Sequence, residues 1–386
     1  MDFRMGEKSD AFRKEVREFL AEEMTEELEE KLYRSGVSHD EGFTQALGDR
    51  GWLALGWPVE WGGQGRDPLE VMAYAEELQK VDAPTYGIGT TVMVAKLINK
   101  VGTEEQKQEI LRPALAGEII ICLGFSEPES GSDVAAAQTK AVRDGDEWVI
   151  NGQKMFTTNA HIGDYVFLLA RTNPDVPKHK GLTTFLVPLK HPGVETQAVF
   201  TLSGERTNIT YYSDVRIPDA WRIGEVDGGW RVMTVSLQDE HSSGFAARIA
   251  RLLSHTESWA AAAVDDEGRS KMADPDVRTR LGRAATELEV SLLLQRRSAW
   301  MAAAGLVPEA EGPMAKLFSS EALERIAQNL TELVGPDALR SYFEPSAPEG
   351  GRIEHSLRFS LGTTIYAGTS EVQRNIIAQR GLGLPR

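Results

Sequence analysis

A chain of 386 residues is long for one hydrophobic core and suggests two or three structural units. Its 41% hydrophobic and 26% charged residues are those of an ordinary soluble globular protein, with no run of the roughly 18–20 continuous apolar residues a membrane helix requires. A net charge of −16 disfavours a nucleic-acid partner, and the single cysteine, Cys122, excludes an intramolecular disulfide and a cysteine-based zinc cluster.

The first residues lack the apolar core of a signal peptide, so the expected location is cytoplasmic, without a membrane anchor. Phe12, Val16, Phe19 and Leu20 recur at helical spacing and predict an amphipathic helix over 9–32. The glycines and proline of 57–65 break regular structure, and Pro68 suits the first turn of a helix through Leu78. Helices follow over 90–100 and 103–116, the latter with Thr103 and Gln106 as a capping box. A helical first domain therefore spans residues 1–118.

From 119 to 225 the period shifts toward two, predicting strands at 119–125, 148–150, 165–170, 183–188 and 210–215, with Asn151-Gly152 as a turn. The stretch 172–181 reads as a solvent loop, and His161, His179 and His191 lie in unrelated contexts that do not suggest a metal site. The third domain, 226–386, is helical at 230–241, 245–264, 275–304, 313–333 and 357–379, with a connecting loop at 341–352. The fold class is multi-domain α+β: an N-terminal helical domain, a middle β domain of small sheets or a barrel, and a C-terminal helical bundle.

Three segments stand out: Ser126-Glu127-Pro128 with Gly131-Ser132-Asp133, then 151–159 (NGQKMFTTN), then 365–374 (IYAGTSEVQR). The first two place the hydroxyls of Ser126, Ser132, Thr157 and Thr158 near one end of a sheet, a polar rim suited to a planar cofactor. Such loops are usually no more than loops, so this pair does not decide the matter. In order and separation, however, the three segments resemble the acyl-CoA dehydrogenase family across nearly the whole chain, including the three-domain fold just described.

The resemblance implies an FAD enzyme in which a carboxylate removes the α-proton of an acyl-CoA thioester while the β-hydrogen leaves as hydride to the flavin, giving the trans-2-enoyl-CoA. Electrons then pass to an electron-transfer flavoprotein. Many members carry the base as the glutamate of Tyr-Glu-Gly-Thr; here the motif is Tyr366-Ala367-Gly368-Thr369, without it. A minority branch, including isovaleryl-CoA dehydrogenase, takes the base from the first helix of the C-terminal bundle, and that match falls on Glu240. At 100° per residue Glu240 lies within about 20° of Met233 and about 60° of Leu237, an apolar face. Taken alone, it would read as a solvated acid at a helix end.

By the same resemblance, Leu123, Phe125, Ser126, Phe156, Thr157 and Thr158 line the flavin, Ser132 lies beside the pantetheine arm, Ala367 keeps the backbone N–H that binds the thioester oxygen, and Tyr366 and Gly368 flank it at the substrate. Thr369 and Glu371 fall at the FAD phosphates and ribose. Without its motif, Phe156 is as readily a core residue.

The chain departs from the pattern where the family has Arg-x-x-Phe-Gly, an arginine that meets FAD pyrophosphate across a subunit interface. Here the stretch Asp265-Asp266-Glu267-Gly268-Arg269-Ser270-Lys271 is acidic and lacks the Phe-Gly. The residue after Glu240 is His241 where arginine is common, and Gln238 replaces a usual acid, so the CoA contacts of this helix differ too. An anionic CoA ester must find local positive charge against the overall field.

These departures resemble the actinobacterial branch acting on sterol side-chain CoA esters. They imply a tetramer in which a paralogous chain supplies the arginine, a heterotetramer; the alternative is a homotetramer with Arg269 or Lys271 in its place. Two other functions fit the same residues: an oxygen-using oxidase of the same fold, and a non-catalytic subunit completing another chain's flavin site.

Overall fold

The computed structural model describes residues 5–240 and 244–385, without the side chains of 235–240. In chain order come α1 (Glu7–Glu23), α2 (Glu26–Ser35), α3 (Glu41–Asp49), α4 (Pro68–Lys80), α5 (Tyr86–Val101) and α6 (Glu104–Ala116). Strands β1 (Ile121–Gly124), β2 (Lys140–Asp144), β3 (Glu147–Lys154), β4 (Tyr165–Arg171), β5 (Leu182–Pro188), β6 (Val194–Phe200), β7 (Arg206–Pro218) and β8 (Arg222–Ile223) follow. Helices α7 (Gly229–Glu240), α8 (Ala246–Ala262), α9 (Pro275–Ala303), α10 (Glu311–Val334), α11 (Arg352–Thr363) and α12 (Ser370–Ile376) complete the chain. No helix among the described residues is long and apolar enough to cross a membrane.

Local chemistry accounts for most of these ends. Asp67 and Glu70 form a capping box at α4 with Pro68 in the first turn, and Thr103 with Gln106 does the same at α6. The expected helix over 9–32 is two helices, because the chain leaves helical geometry at Met24. The expected turn at Asn151-Gly152 is a bulge within β3: the strand pairs with β7 on both sides and its register shifts between Ile150 and Gly152. Gly152 adopts φ +145°, with Thr139 packed where a side chain would lie.

Contacts divide the chain into two compact units that do not follow chain order. One comprises Glu27–Arg66 and Pro84–Glu240. Its eight strands form a single sheet in the order β6-β7-β3-β2-β4-β5-β8, with β1 parallel to β4. The two halves of that sheet meet at one pair, Lys140 opposite Arg171. The run of apolar residues in β4 reflects burial of both its faces. Val166, Leu168 and Ala170 enter the core with Trp148, Phe185 and Val215, whereas Phe167 joins Leu97, Leu111 and Val232.

The other unit comprises Met1–Glu26, Asp67–Ala83 and His241–Arg386. Helix α9, 29 residues and so about 43 Å long, packs with α10 and α8 around Leu252, Leu281, Leu323 and Leu330. The predicted helical run 357–379 is interrupted: α11 stops at Thr363 and α12 starts at Ser370, with a turn between them.

In this unit α1 is fixed to α4 by charge as well as packing. Arg13 reaches Glu76 at 2.7 Å and Glu77 at 2.6 Å, while Arg17 and Lys80 reach Glu77 at 2.8 and 2.9 Å. Burial pushes the Glu77 carboxyl up, but the hydrogen bonds from Arg17, Lys80 and Arg13 outweigh it and hold the pKa near 2. Because the folded value lies below the ordinary 4.5, the stabilisation is complete above pH 4.5 and is lost as pH falls through about 2. Glu77→Gln is expected to lower stability at pH 7 by about 2–3 kcal/mol, discounted for the exposed Arg17. Urea melts of both proteins should converge between pH 4.5 and 2; curves that stay parallel would exclude Glu77 as the source.

Candidate active site

In the sheet-containing unit, β1 lies against β4 with Gly124 opposite Leu168. A side chain at Gly124 would meet Val166 at 2.7 Å, so only glycine permits this approach. The chain then turns through Phe125 and Ser126, whose carbonyls are taken by the end of β3: Lys154 Nζ donates to Phe125 O at 3.2 Å, and Met155 N donates to Ser126 O at 2.8 Å. The segment after β3 is fixed against β7, where Thr157 N donates to Asn208 O at 2.8 Å and Asn208 Nδ2 donates to Thr157 O at 3.0 Å. These bonds bring Phe125 and Ser126 together with 156–158; Leu123 packs partly buried beside the core formed by α5 and α6.

Phe156 is not a core residue. It is 57% exposed and sits at φ +60°, a conformation L residues with bulky side chains avoid. An open phenyl ring held in place by strained backbone fits a planar aromatic group. Of the hydroxyls expected on a polar rim, that of Thr157 is buried and shares a 3.2 Å hydrogen bond with Thr210, and that of Thr158 shares one of 3.1 Å with Thr207. The hydroxyl and the backbone N–H of Thr157 are therefore both engaged within the protein. Ser132 is exposed, next to Asp133, which pairs with Lys178 at 2.5 Å.

In the helical unit, Ala367 at φ +54° and Gly368 at φ +80° form a left-handed turn. Gln373 Nε2 donates to Ala367 O at 3.0 Å, and the buried Lys316 Nζ donates to Gly368 O at 2.6 Å. Among the described residues no acceptor faces the Ala367 N–H, the atom expected to bind the thioester oxygen. Tyr366 is 44% exposed and meets Phe245 edge-on, with centroids 6.1 Å apart. Sequence reading gave no role to Lys316 or Gln373; Lys316 in particular lies 52 residues from the carbonyl it holds.

Thr369 caps α12, accepting from Val372 N at 3.2 Å. With Glu371 it lines an open groove of about 440 Å³, shared with Glu321, Glu324, Arg325 and Arg374. The cations are engaged: Arg374 pairs with Glu321 at 2.7 Å and Arg325 with Glu287 at 2.7 Å. Arg269 is held likewise, by Asp265 at 2.9 Å and Glu267 at 3.1 Å. Glu240 is the last residue of α7 and its side chain lies outside the described residues, as do those of Leu237 and Gln238 and all of His241. Met233, on the helical face assigned to Glu240, is buried with Leu169 and Leu182.

Models of the acyl-CoA dehydrogenase N-terminal, middle and C-terminal domains match residues 6–118, 122–215 and 227–382. The chain belongs to the acyl-CoA dehydrogenase family, whose members are FAD-dependent flavoproteins that oxidise a CH–CH bond of an acyl-CoA. Acyl-CoA dehydrogenase FadE26 of Mycobacterium tuberculosis is 38% identical over 97% of this chain and 96% of its own. A solved chain of the Tcur3481–Tcur3483 steroid ACAD superposes with a TM-score of 0.92 at 33% identity, covering 100% of both chains. One of the ChsE4–ChsE5 complex from Mycobacterium tuberculosis gives 0.91 at 37% identity, also covering 100% of both.

Proposed function

We propose that this chain carries out FAD-dependent α,β-dehydrogenation of a sterol side-chain CoA ester to the trans-2-enoyl-CoA, with electrons passing to an electron-transfer flavoprotein. The observation that carries the reading is the Ala367 turn: an amide with no acceptor among the described residues, its neighbouring carbonyls held by Gln373 and Lys316, at a position with no carboxylate. The Ala367 N–H stabilises the thioester oxygen as enolate charge develops, and Glu240 accepts the α-proton. Bound FAD supplies the two-electron acceptor for the β-hydride. Leu123, Phe125, Ser126 and 156–158 hold the flavin, Phe156 through its ring. Ser132, Tyr366 and Gly368 border the substrate, while Thr369 and Glu371 meet the adenosine side of the cofactor. Residues 1–118, 119–225 and 226–386 are the three domains of this cytoplasmic enzyme.

The sterol assignment rests on full-length similarity to the Tcur3481–Tcur3483 protein, whose name contains steroid. The same likeness to two-chain complexes, together with the engaged Arg269, supports a heterotetramer with a paralogous chain. The correctly assembled protein is expected to be yellow and to release FAD on denaturation; FMN or no flavin would sink the reading. A screen of CoA esters with a flavoprotein acceptor should find turnover on bulky sterol side-chain esters, whereas sustained peroxide formation without an added acceptor would identify an oxidase.

A further inference from the structure

Beneath the flavin-lining segment lies a buried ion pair with no part in the steps above. Lys154 is fully buried and its Nζ sits 2.8 Å from Glu127 Oε1, whose side chain is 7% exposed. Burial pushes the lysine pKa down to about 8 against the attraction of Glu127. Burial also pushes the glutamate up, but Lys154 and the N–H groups of Gln138 and Thr139 outweigh it. An apolar pair of similar volume is often as stable as a buried ion pair, so stability alone gives little reason for one here.

The hydrogen bonds indicate another role. Lys154 donates to Phe125 O at 3.2 Å, and the next carbonyl, Ser126 O, accepts from Met155 N at 2.8 Å. The Glu127 carboxylate accepts from Gln138 N at 2.6 Å and Thr139 N at 2.9 Å, while its backbone closes a turn with Ser130 through bonds of 2.8 and 3.1 Å. The segment is thus suspended from the end of β3 by two consecutive carbonyls and tied to the start of β2 by a carboxylate. Arg171 braces the following residues, donating to Ala135 O at 2.5 Å and Ala137 O at 3.3 Å.

We infer that Glu127 and Lys154 are positioning residues, a clasp that sets Phe125 and Ser126 for the flavin and so determines FAD affinity. This inference rests on the reading of Phe125 and Ser126 as flavin-lining. The test separates positioning from stability with the double variant Glu127→Gln/Lys154→Met in the assembled enzyme. Glutamine fills the carboxylate's volume and keeps an acceptor for one of the two backbone N–H groups, and methionine fills the lysine's volume without donating to Phe125 O.

The flavin-free double variant should melt within a few degrees of wild type, yet bind FAD at least about tenfold more weakly, with altered visible circular dichroism of the bound flavin. If that variant does not fold, Lys154→Met alone gives the same readout, because the Glu127 carboxyl keeps an oxygen for each backbone N–H and, buried without its cation, can take up a proton. Wild-type FAD affinity and flavin dichroism in the folded variant would overturn the clasp, as would an affinity loss no larger than the loss of flavin-free stability explains. A wild-type enzyme that takes up no flavin would overturn the cofactor reading instead.

Discussion

Glu240→Gln should lower kcat by about a hundredfold to ten-thousandfold while leaving acyl-CoA affinity within about tenfold. The α-proton of a thioester is weakly acidic, so its removal needs a carboxylate held near the substrate in addition to the oxyanion donor. The turn at 366–369 offers no carboxylate. Glu240 closes α7 within about 20° of Met233, a residue only 2% exposed. Glutamine preserves size and one acceptor but cannot take a proton, so the loss should fall on kcat rather than on binding. Stopped-flow reduction of the flavin by substrate would isolate the step. Near-normal reduction in the variant would move the base elsewhere, Glu371 being the next acid to replace.

Expressed without a partner, the chain should retain little FAD and little activity. A pyrophosphate carries about two negative charges, and removing an arginine from a partly buried phosphate contact costs on the order of 2–5 kcal/mol, tens to thousands of times in affinity. Where the family has that arginine, this chain has Asp265, Asp266 and Glu267, and Arg269 is engaged by the first and third of them. The groove lined by Thr369 and Glu371 adds three carboxylates against two arginines already paired. Co-expression with a paralogue carrying Arg-x-x-Phe-Gly should give an active heterotetramer with half as many flavins as subunits. A stable homotetramer with one FAD per subunit and full activity would refute this, and Arg269→Ala in it would then identify the substitute.

Elements declared by local chemistry were legible in the sequence. The Thr103–Gln106 box and Pro68 mark helix starts whatever the tertiary context, and the apolar run of β4 marks a strand buried on both faces. Strands β2 and β6 gave no such signal, because most of their residues face solvent and little apolar alternation survives. The break at 364–369 was hidden for a different reason. Only glycine at 368 hints at left-handed geometry; the turn's carbonyls are held by Gln373 and by Lys316, a residue 52 positions away that no local pattern points to. In the segments proposed to line the flavin, motif spacing pointed to residues and said nothing of the atoms they present. That Thr157 turns its hydroxyl inward depends on Thr210, 53 residues away, and the exposure of Phe156 depends on a backbone twist no propensity foretells.

With the roles proposed for Ala367 and Glu240, the 367–368 turn would separate two functions that many family members keep in one residue. Its carbonyls are held by Gln373 and the buried Lys316, and neither bond involves the side chain at 367. Mutation at this position could therefore discard an acid without disturbing the amide beside it. A lineage could pass through an intermediate with both acids, or briefly with neither, and still retain a preformed cradle for the thioester. Relocating the base would then be a short evolutionary path rather than a rebuilding of the active site.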